Sequence, residues 1–325
     1  MTTDDTASVV RSLDDVEPDP SVVTIGNFDG VHRGHRTLLH RTVDAALDRG
    51  VRSVAITFDP HPAAVLRPGS EPPGLCSLDQ RIERLIEAGV DLVVVLPFTQ
   101  ELSQLTPEHF VERVLVERLR ASRVVVGTNF RFGHKAKGDV VALLTTGEYH
   151  GFDVEAVALR DLDGEPLSSS AIRSALYDGE VRWVTGALGR PYSLAGEVVA
   201  GDGRGQTIGI PTANIEVSPG RAVPGNGVYA GHATVGDRRW RCVTNIGVRP
   251  TFGADDTPTV EAHLLDVEGP LDLYGTVLDV TFEHRLRGEQ RFNGVDELVA
   301  QIRADVDAAR LQLVASDEEP AEPPA

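Results

Sequence analysis

The feature that most constrains this chain is a change of rhythm near residue 188. Before it, five apolar, β-branched runs alternate with helix-like segments: VVTIG (22–26), SVAITF (53–58), DLVVVLPF (91–98), SRVVVG (122–127) and FDVEAVAL (152–159). The runs are continuous instead of alternating, as strands covered on both faces of a parallel sheet must be. Between them, LDQRIERLIEAG sets Ile82, Leu85 and Ile86 on one helical face and stops at Gly89, and Thr106-Pro107 opens another helix. This β-α-β series predicts an α/β domain with a parallel sheet. After LGRPYSLAG (188–196) the helices vanish, and short runs such as GVYAGHATV, RWRCVTNIGV, TVEAHLLDV and GTVLDVTFEHRL are cut by glycine, proline and aspartate turns. That pattern predicts an antiparallel β-barrel. A terminal helix follows, with Val295, Leu298, Val299, Ile302 and Val306 at helical spacing. The expected divisions are a flexible acidic lead-in (1–20), an α/β domain (21–187), a barrel domain (188–312) and an acidic, proline-rich disordered tail (313–325).

Composition excludes several classes. A formal net charge of −18 leaves no basic face for a nucleic-acid backbone, so any phosphate chemistry is local. Cys76 and Cys242 are the only cysteines, too few for a disulfide framework or a cysteine metal cluster, and they are expected to be ordinary thiols. No apolar run reaches the length of a membrane span, and the N-terminus has neither the basic nor the apolar region of a signal peptide. The expectation is a cytoplasmic protein with no nucleic-acid or membrane partner; weak homo-oligomerisation is left open.

The loop after the first predicted strand reads GNFDGVHRGH (26–35). In an open parallel sheet the crevice lies beyond the carboxyl ends of the strands, where this loop runs. Its glycines, Gly26 and Gly34 among them, permit close backbone approach, and the first N–H groups of the following helix favour an anion such as phosphate. His32 and His35 could donate to phosphoryl oxygens as charge builds. An isolated pair at this spacing could equally ligate a metal or sit on a surface. A nucleotide P-loop is excluded, because neither Lys135 nor Lys137 follows a glycine.

Three further stretches, TFDPHP (57–62), GTNFRFGHKAKGD (127–139) and SSSAIR (168–173), also fall at or shortly after predicted strand ends. With GNFDGVHRGH they resemble the FAD-synthetase module of bacterial bifunctional riboflavin kinase/FMN adenylyltransferases, a Rossmann-like nucleotidyltransferase fold with an H-x-G-H motif. The resemblance implies adenylyl transfer, in which the phosphate of FMN attacks the α-phosphate of ATP and pyrophosphate leaves. It implies that His32 and His35 contact the ATP phosphates, that Gly26, Phe28 and Gly34 belong to the same cradle, and that Ser168, Ser169 and Arg173 hold the departing phosphates. Phe58, Asn129, Phe130 and Phe132 would lie toward the flavin. Read alone, these phenylalanines are equally core aromatics, and His61 between two prolines is equally a turn former.

The second half offers GDGRGQTIGIPTANIE (201–216). Its glycine spacing is G-x-G-x-G and no helix is expected after it, so it is a poor dinucleotide fingerprint. Thr212 and Asn214, two apart on an extended segment, face the same way and offer hard oxygens suited to Mg²⁺ and phosphate. With NIGVRPTFG (245–253), VEAHLLD (260–266), LYG (273–275) and LRGEQRF (286–292), the stretch resembles the riboflavin kinase module of the same enzymes. By that resemblance Glu261 is the general base for the ribityl hydroxyl of riboflavin, and Thr212, Asn214 and Gly203 hold Mg²⁺-ATP. His263, two residues on and on the same strand face, is either a supporting residue or a bystander.

The resemblance spans roughly residues 20 to 312 and predicts a bifunctional enzyme with riboflavin, FMN and Mg²⁺-ATP as substrates. Two rivals stay open at this point: an enzyme with one decayed module, and a flavin- or nucleotide-binding regulator without turnover.

Overall fold

The computed structural model describes residues 7–160, 164, 166–201, 203, 205, 208–248, 258–267, 269 and 271–318, with backbone alone at 248 and 315–318. It divides into two compact units, Met1–Ser169 and Ser170–Ala325.

The first unit is built on strands β1 (Ser8–Val10), β2 (Ser21–Ile25), β3 (Arg52–Asp59), β4 (Leu92–Pro97), β5 (Ala121–Gly127) and β6 (Asp153–Val157), in the order β1-β4-β3-β2-β5-β6. Every neighbouring pair is parallel. Its helices are α1 (Arg33–Arg49), α2 (Pro62–Leu66), α3 (Leu78–Glu87), α4 (Gln100–Gln104), α5 (Pro107–Phe110) and α6 (Val140–His150).

The continuous apolar runs are explained by two cores, one on each face of the sheet. Val23, Ile25, Val54, Ile56, Val94 and Val124 pack on one side with Phe110, Leu115 and Leu143. Val22, Ala55, Val93, Val95 and Val125 pack on the other with Leu38, Leu39 and Leu85. Each fully buried aliphatic side chain of this kind contributes about 1.5–3 kcal/mol. The helix expected over LDQRIERLIE is α3, opened by a reciprocal Ser77–Gln80 capping box, with Ile82 and Leu85 buried. The helix begun by Thr106-Pro107 continues past Phe110 with π-type bonding over Val111–Arg118.

In the second unit, α7 (Ser169–Tyr177) and α8 (Val181–Leu188) precede β7 (Tyr192–Val199), β8 (Ala213–Val217), β9 (Gly227–Val235), β10 (Arg238–Val248), β11 (Pro258–Leu264), β12 (Val277–Phe282) and β13 (His284–Arg287). The antiparallel pairings β9–β10–β11–β8–β7–β12 close through β12–β9 into a six-stranded barrel, and β13 adds to β9. Helix α9 (Val295–Glu318) lays Val306, Ala309 and Leu313 against Val228, Ala230 and Val243.

Two sequence expectations, one at each end of the chain, need correction. Residues 8–15 of the supposed flexible lead-in are structured, with β1 pairing to β4 and a 3₁₀ turn at Leu13–Asp15; three residues are too few for a periodic signal. By contacts the units part at Ser169/Ser170, ahead of the expected change of domain at 187/188, and the helices between bond to the barrel: Gly225 N–H donates to the Leu176 carbonyl (3.0 Å), and Arg285 donates to the Asp178 carbonyl (3.0 Å). Helix α9 runs to Glu318, so residues 313–318 of the supposed tail are helical, while 319–325 lie outside the described residues. Val295 at the start of this helix is exposed, and the helix packs through its later turns.

Candidate active sites

In the first unit the strand order reverses between β2 and β5, and the crevice of such a sheet opens beyond the carboxyl ends of that pair. Gly26 N–H donates to the Ile56 carbonyl (3.1 Å) just after β2. The chain then turns sharply, with Phe28 at φ 48° and Val31 at φ 40°. A left-handed conformation costs a non-glycine residue about 1–3 kcal/mol and is found where function over-determines the backbone. Here buried partners do so. The Asp29 carboxylate accepts from Leu75 N–H (2.9 Å) and Cys76 N–H (3.3 Å), and the Cys76 sulfur accepts from Gly30 N–H (3.1 Å).

The turn delivers His32 to the N-cap of α1, where its Nδ1 accepts from His35 N–H (3.2 Å). A neutral ring that accepts at Nδ1 carries its proton on Nε2. The His32 and His35 rings stack with centroids 3.6 Å apart, and Phe28 meets His35 edge-on at 5.2 Å. A Cβ on Gly34 would come within 3.2 Å of the His32 ring and of Leu159, a tight approach that glycine leaves open. Burial, then the charges of His32 and Arg81, holds the His35 imidazole well below the ordinary histidine range, and its buried Nδ1 has no hydrogen-bond partner among the described residues.

A cavity of about 800 Å³ opens beside this loop, lined by Gly26, Asn27, Phe58, Asn129, Phe130 and Phe132 among others. Phe130 and Phe132 stack at 5.4 Å and Phe58 meets Phe98 edge-on at 5.7 Å, so the four sequence-selected residues of this group share one apolar chamber. His61 caps α2, and its Nε2 lies 3.2 Å from the Asn27 carboxamide.

Sequence reading missed Arg81. Its buried guanidinium donates to Thr57 Oγ1 (3.2 Å) and to the Phe58 carbonyl (3.0 Å), and Thr57 in turn donates to the Asn27 carbonyl (3.1 Å). This chain fixes the end of β3 to the histidine loop; a lone arginine within an amphipathic helix gives no sequence signal. Ser169, expected on the leaving phosphates, donates its hydroxyl to the Asp29 carbonyl (2.9 Å) and in this arrangement steadies the loop. Ser168 precedes α7 and Arg173 lies on the second turn of that helix.

In the second unit, Glu261 on β11 stands in register with Asn245 of β10 on one side and Asn214 of β8 on the other. Directly paired residues share a sheet face. One cavity, about 600 Å³, is lined by Glu261, Asn245, Thr212 and Ile210 and bounded by Phe292, Leu298 and Ile302. A second, about 420 Å³, holds Gly201, Gly203, Asn214 and Tyr274. Thr212 and Gly205 line both, so the two chambers meet at the threonine. A Cβ on Gly201 would overlap the Asn214 carboxamide, so glycine there leaves room for the carboxamide in its present position. Asn245, also missed, shows itself only through the strand register. Residues 249–253 of the NIGVRPTFG stretch lie outside the described residues.

The last barrel strand and the terminal helix are joined at Arg287. It forks onto Asp305 of α9 (2.9 and 3.1 Å), which also accepts from Gln301 (2.9 Å), and its guanidinium sits 5.7 Å above the Phe292 ring. Cys242 is buried in the barrel with its thiol pushed up to about 12 by burial, in keeping with an ordinary thiol.

Residues 14–171 match the family described as FAD synthetase, and residues 188–313 match the family described as riboflavin kinase. The chain is 40% identical to the bifunctional riboflavin kinase/FMN adenylyltransferase of Pseudomonas fluorescens over 93% of its own length and 96% of the relative's. The chain belongs to that bifunctional family. The proteins of the same description from Escherichia coli K12 and Bacillus subtilis 168 are 38% and 34% identical, covering 95% and 90% of their lengths. A solved structure described as a macrolide-efflux protein from Streptococcus pneumoniae, 30% identical, superposes with a TM-score of 0.84 over 94% of this chain and 98% of its own. Among the described residues no helix is long and apolar enough to cross a membrane. Both halves of the sequence resemblance therefore stand on matched families as well as on motifs.

Proposed function

We propose that the first unit carries FMN adenylylation and the second riboflavin phosphorylation, each with its own ATP site, in a cytoplasmic enzyme. Family membership makes the chain a riboflavin kinase and FMN adenylyltransferase; the assignment of residues is the reading offered here. The observation that carries it is that each unit holds a polar phosphate-side cluster next to a chamber of flavin-compatible size.

In the barrel, Glu261 takes the proton of the terminal ribityl hydroxyl as that oxygen attacks the γ-phosphate of ATP. Flavin occupies the larger chamber against Phe292 and α9, ATP occupies the smaller one, and Thr212 stands where they meet. Thr212 and Asn214 suit Mg²⁺ that arrives with ATP: they supply a hydroxyl and a carboxamide, and no cluster of three or more His, Cys, Asp or Glu able to hold a metal occurs among the described residues. When bound, the cation neutralises phosphate charge. The chain's own part is to hold the hydroxyl, the carboxylate and the phosphate in line.

In the α/β unit, His32 offers its Nε2 proton to phosphate oxygens as charge accumulates, and a neutral His35 can do the same without burying a cation. Phe28, Gly26 and Gly34 shape the cradle, Asn129 and the phenylalanines receive the flavin of FMN, and Ser168 adds to the grip on the departing pyrophosphate.

The by-products test this division. Riboflavin with Mg²⁺-ATP must yield ADP before pyrophosphate, whereas FMN with Mg²⁺-ATP must yield pyrophosphate and no ADP. ADP release from the FMN reaction would overturn the assignment of two distinct chemistries.

A further inference from the structure

We propose that His263 is a positioning residue for riboflavin phosphorylation: its ring latches the Pro211–Thr212 segment to the strand that carries Glu261. The inference rests on the phosphorylation site described above and goes beyond it.

The β8–β11 ladder pairs Val260 with Ile215, Glu261 with Asn214 and Ala262 with Ala213, and it stops there. Pro211 has no N–H to extend it. At the next position the side chain takes over, with His263 Nδ1 lying 2.8 Å from the Pro211 carbonyl. A carbonyl only accepts, so the ring nitrogen donates, and this bond fixes both tautomer and ring orientation. His263 and Glu261 are two apart on one strand, share a face, and line the same cavity. Thr212, the next residue after the latched carbonyl, lines that cavity and its neighbour. The latch therefore sets the distance between the proton acceptor and the segment that holds ATP phosphates, a geometry in which misplacement by about 1 Å can cost a hundredfold in rate.

The experiment compares His263→Leu and His263→Asn in the full-length protein. Asparagine places an N–H donor near the position of Nδ1; leucine keeps bulk and removes the donor. His263→Leu should lower kcat for riboflavin phosphorylation by on the order of tenfold to a hundredfold, with riboflavin binding, read by quenching of its fluorescence, and FMN adenylylation both unchanged. His263→Asn should recover most of the rate. A leucine variant with normal kcat overturns the latch, as does one that loses riboflavin binding together with rate, since that outcome makes the residue part of the flavin wall. Absence of riboflavin phosphorylation by the unsubstituted protein would overturn the underlying site assignment instead.

Discussion

The two units build phosphate sites by opposite means. In the α/β unit the histidine motif is ten consecutive residues running from the end of a strand into the first turn of a helix, held by hydrogen bonds that link Asp29 and Gly30 to Leu75, Cys76 and Ser169. In the barrel, Asn214, Asn245 and Glu261 are brought together from three strands by register alone, and the far wall comes from α9. A contiguous loop concentrates its chemistry in a few backbone torsions. A site spread over strands depends on the closure of the whole barrel, yet each residue in it can be altered with little effect on the others' backbone.

Substitutions that strike one site and spare the other sharpen this contrast. The largest effect is expected from Glu261→Gln, which removes the proton acceptor and should cut riboflavin phosphorylation by about 10²–10⁴-fold, leaving FAD formation from FMN intact; normal ADP release from riboflavin would break the assignment. His32→Ala should lower FAD formation by about 10²-fold or more, with FMN formation unaffected in the same assay.

Arg81→Met touches no proposed substrate group but cuts the chain from α3 through Thr57 to Asn27. FAD formation should fall by roughly tenfold through a lower kcat, a loss that a side chain serving only to fill the core would not confine to one activity. The smallest effect is on stability. The folded chain holds His35 neutral while the unfolded chain binds a proton near the ordinary value of 6.5, so stability is present above that value and declines as pH falls below it. Thermal unfolding between about pH 7.5 and 5.5 should show this decline in the unsubstituted protein and less of it in His35→Gln; identical profiles would show that His35 charges freely when folded.

How much was legible in the sequence follows the same contrast. The parallel strands announced themselves through continuous valine and isoleucine runs, because both faces of that sheet are covered. The histidine loop was readable because its members are neighbours in the chain. In the barrel, Thr212 and Asn214 were readable as a local pair of hard oxygens and Glu261 only through resemblance, while the pairing of Asn245 with Glu261 and the closure of β12 on β9 are non-local facts that no spacing encodes. Arg81 and β1 escaped for another reason: one is a single polar residue on an otherwise ordinary helix, the other a three-residue edge strand.

The most direct test of two independent sites is a chromatographic time course on the unsubstituted protein, Glu261→Gln and His32→Ala, each given riboflavin or FMN with Mg²⁺-ATP. The account predicts FMN followed by FAD for the first, FAD from FMN alone for the second, and FMN that accumulates without FAD for the third. Loss of both products in either variant would contradict it.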